Sequence, residues 1–185
     1  NYYPNQMAVG LITRKTKTFG LLVPDICNLF FSSIAKGAEA QSQKSGYNVI
    51  FCNTNDNPQK DIEYTHVLLK RSVDGIILIM SANSYGNAAL ECYKLIEKSK
   101  TPFVLVDRTV DEFTAPSVLV DNARGMHALV THLVHVHGFR RVAFIRGPSA
   151  SGEAESRFAA YRQVLEDHGV ALDPALVFEG DFQTQ

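Results

Sequence analysis

Four strand-sized apolar runs, at residues 19–23, 48–52, 75–80 and 102–106, recur along the chain with a helical segment between each pair. This rhythm narrows the possible folds more than any other feature. A strand apolar on consecutive residues has no solvent face and must be covered on both sides, and strands joined through helices pair in parallel. The expected class is α/β, a doubly wound parallel sheet with crossover helices on either face. Turn and cap signals set the helices. The first spans 32–45 and stops at Gly46; the second opens at Asp56-Asn57-Pro58, a capping residue with proline at the first helical position; the third spans 87–98.

After residue 106 the rhythm breaks. The stretch 107–116 is too short for a helical crossover before the next apolar run at 118–120, so the chain is expected to turn back or leave the sheet. From Asp121-Asn122, a second capping pair, a helix is expected to run to Gly138, followed by a strand at 141–145, a helix at 154–168 and a strand at 176–179. A domain boundary is placed near Val120. The second unit would then hold two strands and two helices, an incomplete sheet.

Size and composition permit a real core, with 185 residues, 45% hydrophobic and 20% charged. The longest apolar runs fall far short of the ~18 residues that a membrane helix needs, so no membrane partner is expected. Three cysteines, Cys27, Cys52 and Cys92, are odd in number and form no Cys-x-x-Cys pair, which suits unpaired thiols in a reducing cytoplasm. With a net charge of −1, any nucleic-acid contact must be local.

Several chemistries lack their residues. The loop 146–153 sits between a strand and a helix, where a phosphate cradle belongs, but has neither the lysine of a P-loop nor the spaced glycines of a dinucleotide site. No Gly-x-Ser-x-Gly elbow occurs. His127, His132, His135 and His137 crowd one helix. At 100° per residue Met126, Leu129, Val130, Leu133 and His137 share the apolar face, and only His132 and His135 are placed to pair. Two ligands without a third suit a solvated face, so neither a metal nor a cofactor is expected.

In an open parallel sheet ligands bind beyond the carboxyl ends of the strands. Those positions carry residues 25–31 after the first strand, Ser81 after the third, and Asp107-Arg108 after the fourth. Carboxylate, guanidinium, amide and aromatic rings around one crevice suit a polyhydroxylated ligand. Structural roles compete: Asn28 as a helix cap, Phe30 and Phe31 as core anchors, Asp107-Arg108 as a solvated pair. For Phe30 the anchoring role is favoured, for Asp107 the ligand role.

These residues carry a resemblance. Tyr3-Pro4-Asn5 with Ala8 and Leu11, then TFGLLVPDICNLFF, GYNVIFCNTNDNP, VDGIILIMS, PFVLVDR, PSVLVDN and HGFRRVAFIRGP, through Arg157 to GDF, resemble in order the lactose/galactose repressor (LacI/GalR) family of bacterial transcription regulators. The resemblance implies a helix-turn-helix headpiece, a hinge helix, and a two-lobed sugar-sensing core like that of periplasmic binding proteins. It also implies that this sequence is a fragment, without the headpiece and the rest of the core. Residues 1–16 would be hinge helix and linker, 17–120 the first lobe, and 121–185 the start of the second.

By the same resemblance, the stretch matching residues 4–13 is a hinge helix that folds when two copies meet in a DNA minor groove. Leu11 is its wedge, Ala8 its close-approach residue, and Arg14 and Lys15, with Lys17, its phosphate contacts. A helix this short, with Gly10 inside it, does not nucleate alone in water; the competing reading is a plain disordered tail. Where members often carry a polar residue before the wedge, this chain has Val9-Gly10. For the effector, the matching positions are Asn28, Phe31 and Asp107, with Ser151, Glu153 and Arg157 from the second lobe. Leu29 departs from a usual proline and Arg146 from a usual glycine, and the added cation suggests an acidic or phosphorylated sugar. The expectation is a cytoplasmic, homodimeric repressor, not an enzyme, binding a DNA operator and a sugar or sugar-phosphate effector; the alternative is a periplasmic sugar-binding protein.

Overall fold

A computed structural model describes residues 15–82, 87–109, 114–149 and 151–182. Of the DNA-facing residues, Ala8, Leu11 and Arg14 lie outside these; Lys15 lies within them. The chain divides into two compact units, one ending at Leu119 and the other beginning at Val120.

The first unit is built on strands β1 (Thr18–Val23), β2 (Asn48–Asn53), β3 (Gly75–Leu78), β4 (Phe103–Val106) and β5 (Ser117–Val118), with helices α1 (Leu29–Lys44), α2 (Pro58–Lys70) and α3 (Asn87–Ser99). All pairings are parallel, in the order β2-β1-β3-β4-β5. The central strand explains the unbroken apolar runs. Leu21 and Val23 join Phe31 and Ala35 of α1 on one face, while Leu22 joins Ile62 and Leu68 of α2 and Cys92 and Ile96 of α3 on the other. All three β1 side chains are fully buried, and each such burial is worth roughly 1.5–3 kcal/mol. Gly20 lets α2 approach: a Cβ there would lie 2.4 Å from Leu68 Cδ1.

The helix ends follow local chemistry. Asn28 caps α1 by accepting the Phe30 N–H at 2.9 Å, so the helix starts at Leu29 rather than at 32. It stops where Gly46 takes φ +72°, and the Gly46 and Tyr47 amides close back onto Gln43 and Ser42 at 3.0 and 2.9 Å. Asn57 caps α2 through the Gln59 N–H.

The expectation that the chain turns back or leaves after β4 is corrected, since β5 pairs with β4 in parallel. The pairing is only two residues long, Leu105 with Ser117 and Val106 with Val118, at the end where the chain has just left β4. The return therefore covers only a residue or two along the strand and one strand spacing of about 4.8 Å across, which needs no helix.

The second unit contains α4 (Asn122–Thr131), β6 (Phe144–Arg146), α5 (Gly152–Asp167) and β7 (Val177–Glu179), with β6 and β7 parallel. Its core gathers Val130, Val134, Tyr161, Val164, Leu165 and Val170. The expected apolar face of the first helix is also corrected. Val130 and Val134 are buried while Leu129 and His137 are exposed, and helix α4 runs into a π-turn, His132–Val136, that resets the positions beyond it. A wider turn advances each residue by less than 100°, which shifts every position after 131 around the axis.

Among the described residues no helix is long and apolar enough to cross a membrane. The three cysteines are unpaired thiols.

Candidate effector site

In the first unit the carboxyl ends of β1, β3 and β4 hold a dense polar layer. Asp61, the fourth residue of α2, is fully buried. Its carboxylate accepts the Ser81 N–H and the Ser81 hydroxyl, both at 3.0 Å, and Thr54 Oγ1 lies 3.1 Å from Ser81 Oγ. Ser81 therefore holds the end of β3 in place rather than presenting itself to a ligand.

Arg108 is 8% exposed. Its guanidinium donates to the Met80 carbonyl, lies 3.9 Å from Asp56 and 4.0 Å from Asp107, and stands 5.8 Å from the Phe31 ring. Asp56 also accepts the Ala82 N–H at 2.6 Å. Asp107 has φ +69° and donates its own N–H to Val118 O at 2.9 Å. The left-handed backbone, which costs about 1 kcal/mol or more for a non-glycine residue, is held there by β5. Asp107-Arg108 is thus a largely buried pair, Arg108 almost fully so and Asp107 partly, rather than a solvated one. Carboxylates beside a guanidinium and an aromatic ring suit a ligand rich in hydroxyl groups.

Phe30 and Phe31 meet edge to face at 5.3 Å. The expected anchoring role of Phe30 is corrected: Phe31 is buried, while Phe30 is 41% exposed. Phe30 lies two residues after the cap, and its side chain is not on the buried face that Phe31 and Ala35 share. Asn28 keeps its capping bond, which leaves its two amide N–H donors and one lone pair of Oδ1 for a ligand.

In the second unit the sites cluster on the first turns of α5. Ser151 is buried, accepts the Ala154 N–H at 3.2 Å as the helix cap, and donates to Glu153 at 2.8 Å. Arg157 donates to Asn122 Oδ1 at 2.8 Å, its guanidinium 5.8 Å from the Phe182 ring. Arg146 pairs with Glu155 at 2.7 Å and lies 4.6 Å from the Phe158 ring. With its charge matched by Glu155, Arg146 gives little support to an anionic sugar.

The amino-terminal end of β1 is equally organised. Asp74, just before β3, accepts Thr16 N–H at 2.9 Å, Thr16 Oγ1–H at 3.2 Å and Lys17 N–H at 3.0 Å, while Thr16 Oγ1 lies 2.9 Å from Ser72 O. Lys17 sits over the Tyr47 ring at 4.5 Å, so this lysine, expected on a phosphate, is held against the first unit. An apolar groove of about 450 Å³ lies nearby, between α1 and the amino ends of β1, β3 and β4, lined by Phe19, Ala38, Ile77 and Phe103. It holds none of the expected ligand residues.

Sequence reasoning missed the weight of Arg108 and Asp56. The one available signal was an arginine directly after an apolar strand, where a solvated charge is out of place.

With this layout in view, likeness to known proteins is informative. Residues 16–184 match the family described as periplasmic binding proteins and sugar binding domain of LacI family. The chain belongs to that family. A relative named HTH-type transcriptional regulator RegA, from Clostridium saccharobutylicum, is 35% identical over 96% of this chain and 52% of its own length. The ribose operon repressor of Halalkalibacterium halodurans is 34% identical over 98% of this chain and 51% of its own. The LacI-family chain thus spans about half the length of the curated relatives it matches. Among solved structures, the transcription regulator CcpA of Lactococcus lactis superposes with a TM-score of 0.74 at 26% identity, covering 89% of this chain and 59% of that one. A periplasmic binding protein/LacI transcriptional regulator from Alkaliphilus metalliredigens, complexed with D-xylulofuranose, gives 0.76 at 25% identity, covering 91% and 58%. The fold is the α/β, periplasmic-binding-protein-like fold of LacI-family regulators, with parallel sheets in both units.

Proposed function

We propose that this chain is the effector-sensing part of a homodimeric LacI-family repressor that binds a neutral sugar and controls a DNA-binding arm. The observation that carries the reading is the cluster of buried Arg108 with the partly exposed Asp107 and Asp56, its guanidinium near the Phe31 ring at the carboxyl ends of the strands, in a chain whose named relatives are transcription regulators. Asp107 accepts sugar hydroxyls, Phe31 faces the ring's C–H groups, and Asn28 adds amide donors. The family resemblance adds Ser151, Glu153 and Arg157 as further candidate effector residues. A neutral ligand is favoured because two carboxylates flank Arg108 and because Arg146 is paired with Glu155. The relatives' names favour a regulator over a transport receptor.

The arm acts through residues 1–16, with Leu11 wedging a base step, Ala8 allowing close approach, and Arg14 and Lys15 meeting phosphates. The Asp74 bonds to Thr16 and Lys17 tie the start of β1 to β3 and give the core a fixed grip on that arm.

The test uses full-length protein, a panel of neutral and phosphorylated sugars in a thermal-shift screen, and operator binding. A neutral sugar at ~100 times its dissociation constant adds about 2.7 kcal/mol of stability. Asp107→Asn is expected to weaken its binding by roughly 1.5–3 kcal/mol, the value of a charge-assisted hydrogen bond. Leu11→Ala is expected to reduce operator affinity with an unchanged salt slope. A response confined to phosphorylated sugars, or unchanged effector affinity in Asp107→Asn, would overturn the site; parent-like operator binding by Leu11→Ala would overturn the arm.

A further inference from the structure

The four histidines of the α4 segment, set apart at helical spacing, are rearranged by the π-turn. His132 and His137 are brought together, with their Nε2 atoms 3.0 Å apart. The expected partner His135 instead faces His168, with ring centroids 6.0 Å apart. Five residues at the wider π-helical pitch come close to one full turn, which is how an i, i+5 pair comes to share a face. Backbone bonds lock the turn: the His137 N–H donates to His132 O at 3.3 Å and the Phe139 N–H to Leu133 O at 3.2 Å. The Phe139 ring stacks on His137 at 5.6 Å and 19°, fixing that imidazole as well.

The two rings lean toward each other at their Nε2 ends. Their centroids are 4.6 Å apart, against 3.0 Å for the nitrogens. The ring planes stand at 84° to each other. A nitrogen pair on one edge of a square-planar or octahedral centre, with bonds of about 2.1 Å, is about 3.0 Å apart; a tetrahedral edge is about 3.4 Å. The spacing therefore matches tetragonal copper or nickel better than zinc.

We propose that His132 and His137 form a two-imidazole edge that binds a divalent copper or nickel ion. The remaining coordination positions are filled by water, because among the described residues no three His, Cys, Asp or Glu side chains gather as a closed metal site. The pair sits on the last turn of the α4 segment, where the unpaired backbone carbonyls place negative charge and favour a cation. The ring that donates in the metal-free pair must move its proton to Nδ1, so that both Nε2 lone pairs face the ion. Both rings are exposed, so neither substitution below opens the core.

The test titrates copper ion alone into the full-length protein, read by calorimetry and by nitrogen hyperfine splitting in electron paramagnetic resonance. The parent is expected to show one site with two equivalent nitrogens. His132→Gln and His137→Gln are each expected to weaken it by about tenfold or more and to remove one nitrogen from the spectrum. His127→Gln, on another face of the same helix, is expected to bind as the parent does. Far-ultraviolet circular dichroism establishes that each variant keeps its helices. Absence of a two-nitrogen site in the parent, unchanged binding in both variants, or an equal loss in His127→Gln would overturn the proposal.

Discussion

Ser81 and Ser151 are both almost fully buried and both follow a strand in the chain, one in each unit. They are satisfied in different ways. Ser81 is held by a buried carboxylate twenty residues earlier, Asp61, and by Thr54 after β2, so its bonds join three elements. Ser151 is held by the first turn of its own helix, accepting from Ala154 and donating to Glu153. Ser81 is thus fixed by tertiary structure, and Ser151 by local capping. A ligand face built the first way keeps its geometry only while the whole sheet is intact, whereas one built the second way needs little more than the helix.

The largest expected effect tests that contrast directly. Asp61→Ala strands the buried Ser81 amide and leaves a cavity, while the Ser81 hydroxyl keeps Thr54 Oγ1, so the first unit is expected to lose about 2–3 kcal/mol. Ser151→Ala removes a cap and is expected to cost the second unit about 1 kcal/mol. Hydrogen exchange read separately from peptides of β1 and of α5, across a urea series, distinguishes the two. Equal losses would erase the distinction between long-range and local support.

The next effect comes from alkali. Burial pushes the Cys92 thiol from 9.0 up to about 12, with the Asp61 and Glu91 charges adding to the rise and a hydrogen bond to Thr65 opposing it. Burial raises Cys52 in the same direction. Because the folded-state value lies above the unfolded one, the contribution is fully present below pH 9.0 and is lost as pH climbs toward about 12. Each such thiol steepens the loss by up to about 1.4 kcal/mol per pH unit. All three cysteines belong to the first unit. Tyr161, in the second, is also raised by burial, but from 10.0. Between pH 9 and 10 the loss of exchange protection is expected in β1 and not in α5. A simultaneous loss in both would show that another group governs alkaline stability.

The order and type of the elements were legible in the sequence wherever local chemistry decides them. The Asn57-Pro58 start of α2, the Gly46 stop of α1 and the apolar runs of β1 to β4 each carry their cause within a few residues. What escaped was set by geometry that no short window holds. One wider turn after Thr131 moved His137 off the apolar face and onto His132. A two-residue β5 could pair in parallel because it begins almost level with the end of β4. Arg108 resembled a surface charge because the Met80 carbonyl and Asp56 that receive it are far from it in the chain. Among the candidate site residues, the capping roles of Asn28 and Ser151 could be read from their positions before helices, and that of Asn28 was raised beside its ligand role. The burial of Asp61 and Ser81 could not, because it depends on the sheet that covers them.

The smallest expected effect concerns glycines and asks whether the two units tolerate the same change alike. Gly37 in α1 and Gly125 in α4 lie inside helices, and a Cβ at either meets nothing within 4 Å. Alanine at each position reduces the conformational freedom of the unfolded chain and is expected to stabilise its unit by about 0.5–1 kcal/mol. Gly20 is the opposing case. It is central in β1, its Cβ would meet Leu68 at 2.4 to 3.0 Å through three atoms of the side chain, and Leu68 is fully buried with no room to withdraw. Gly20→Ala is therefore expected to destabilise the first unit by about 1–3 kcal/mol through overpacking. Urea midpoints with unit-specific exchange readouts measure all three. If Gly125→Ala stabilises while Gly37→Ala does not, the two helices differ in how closely their outer faces are covered in the full-length protein. A neutral Gly20→Ala would show that α2 can shift on the sheet, and the close packing credited to the first unit would then be looser than its buried side chains imply.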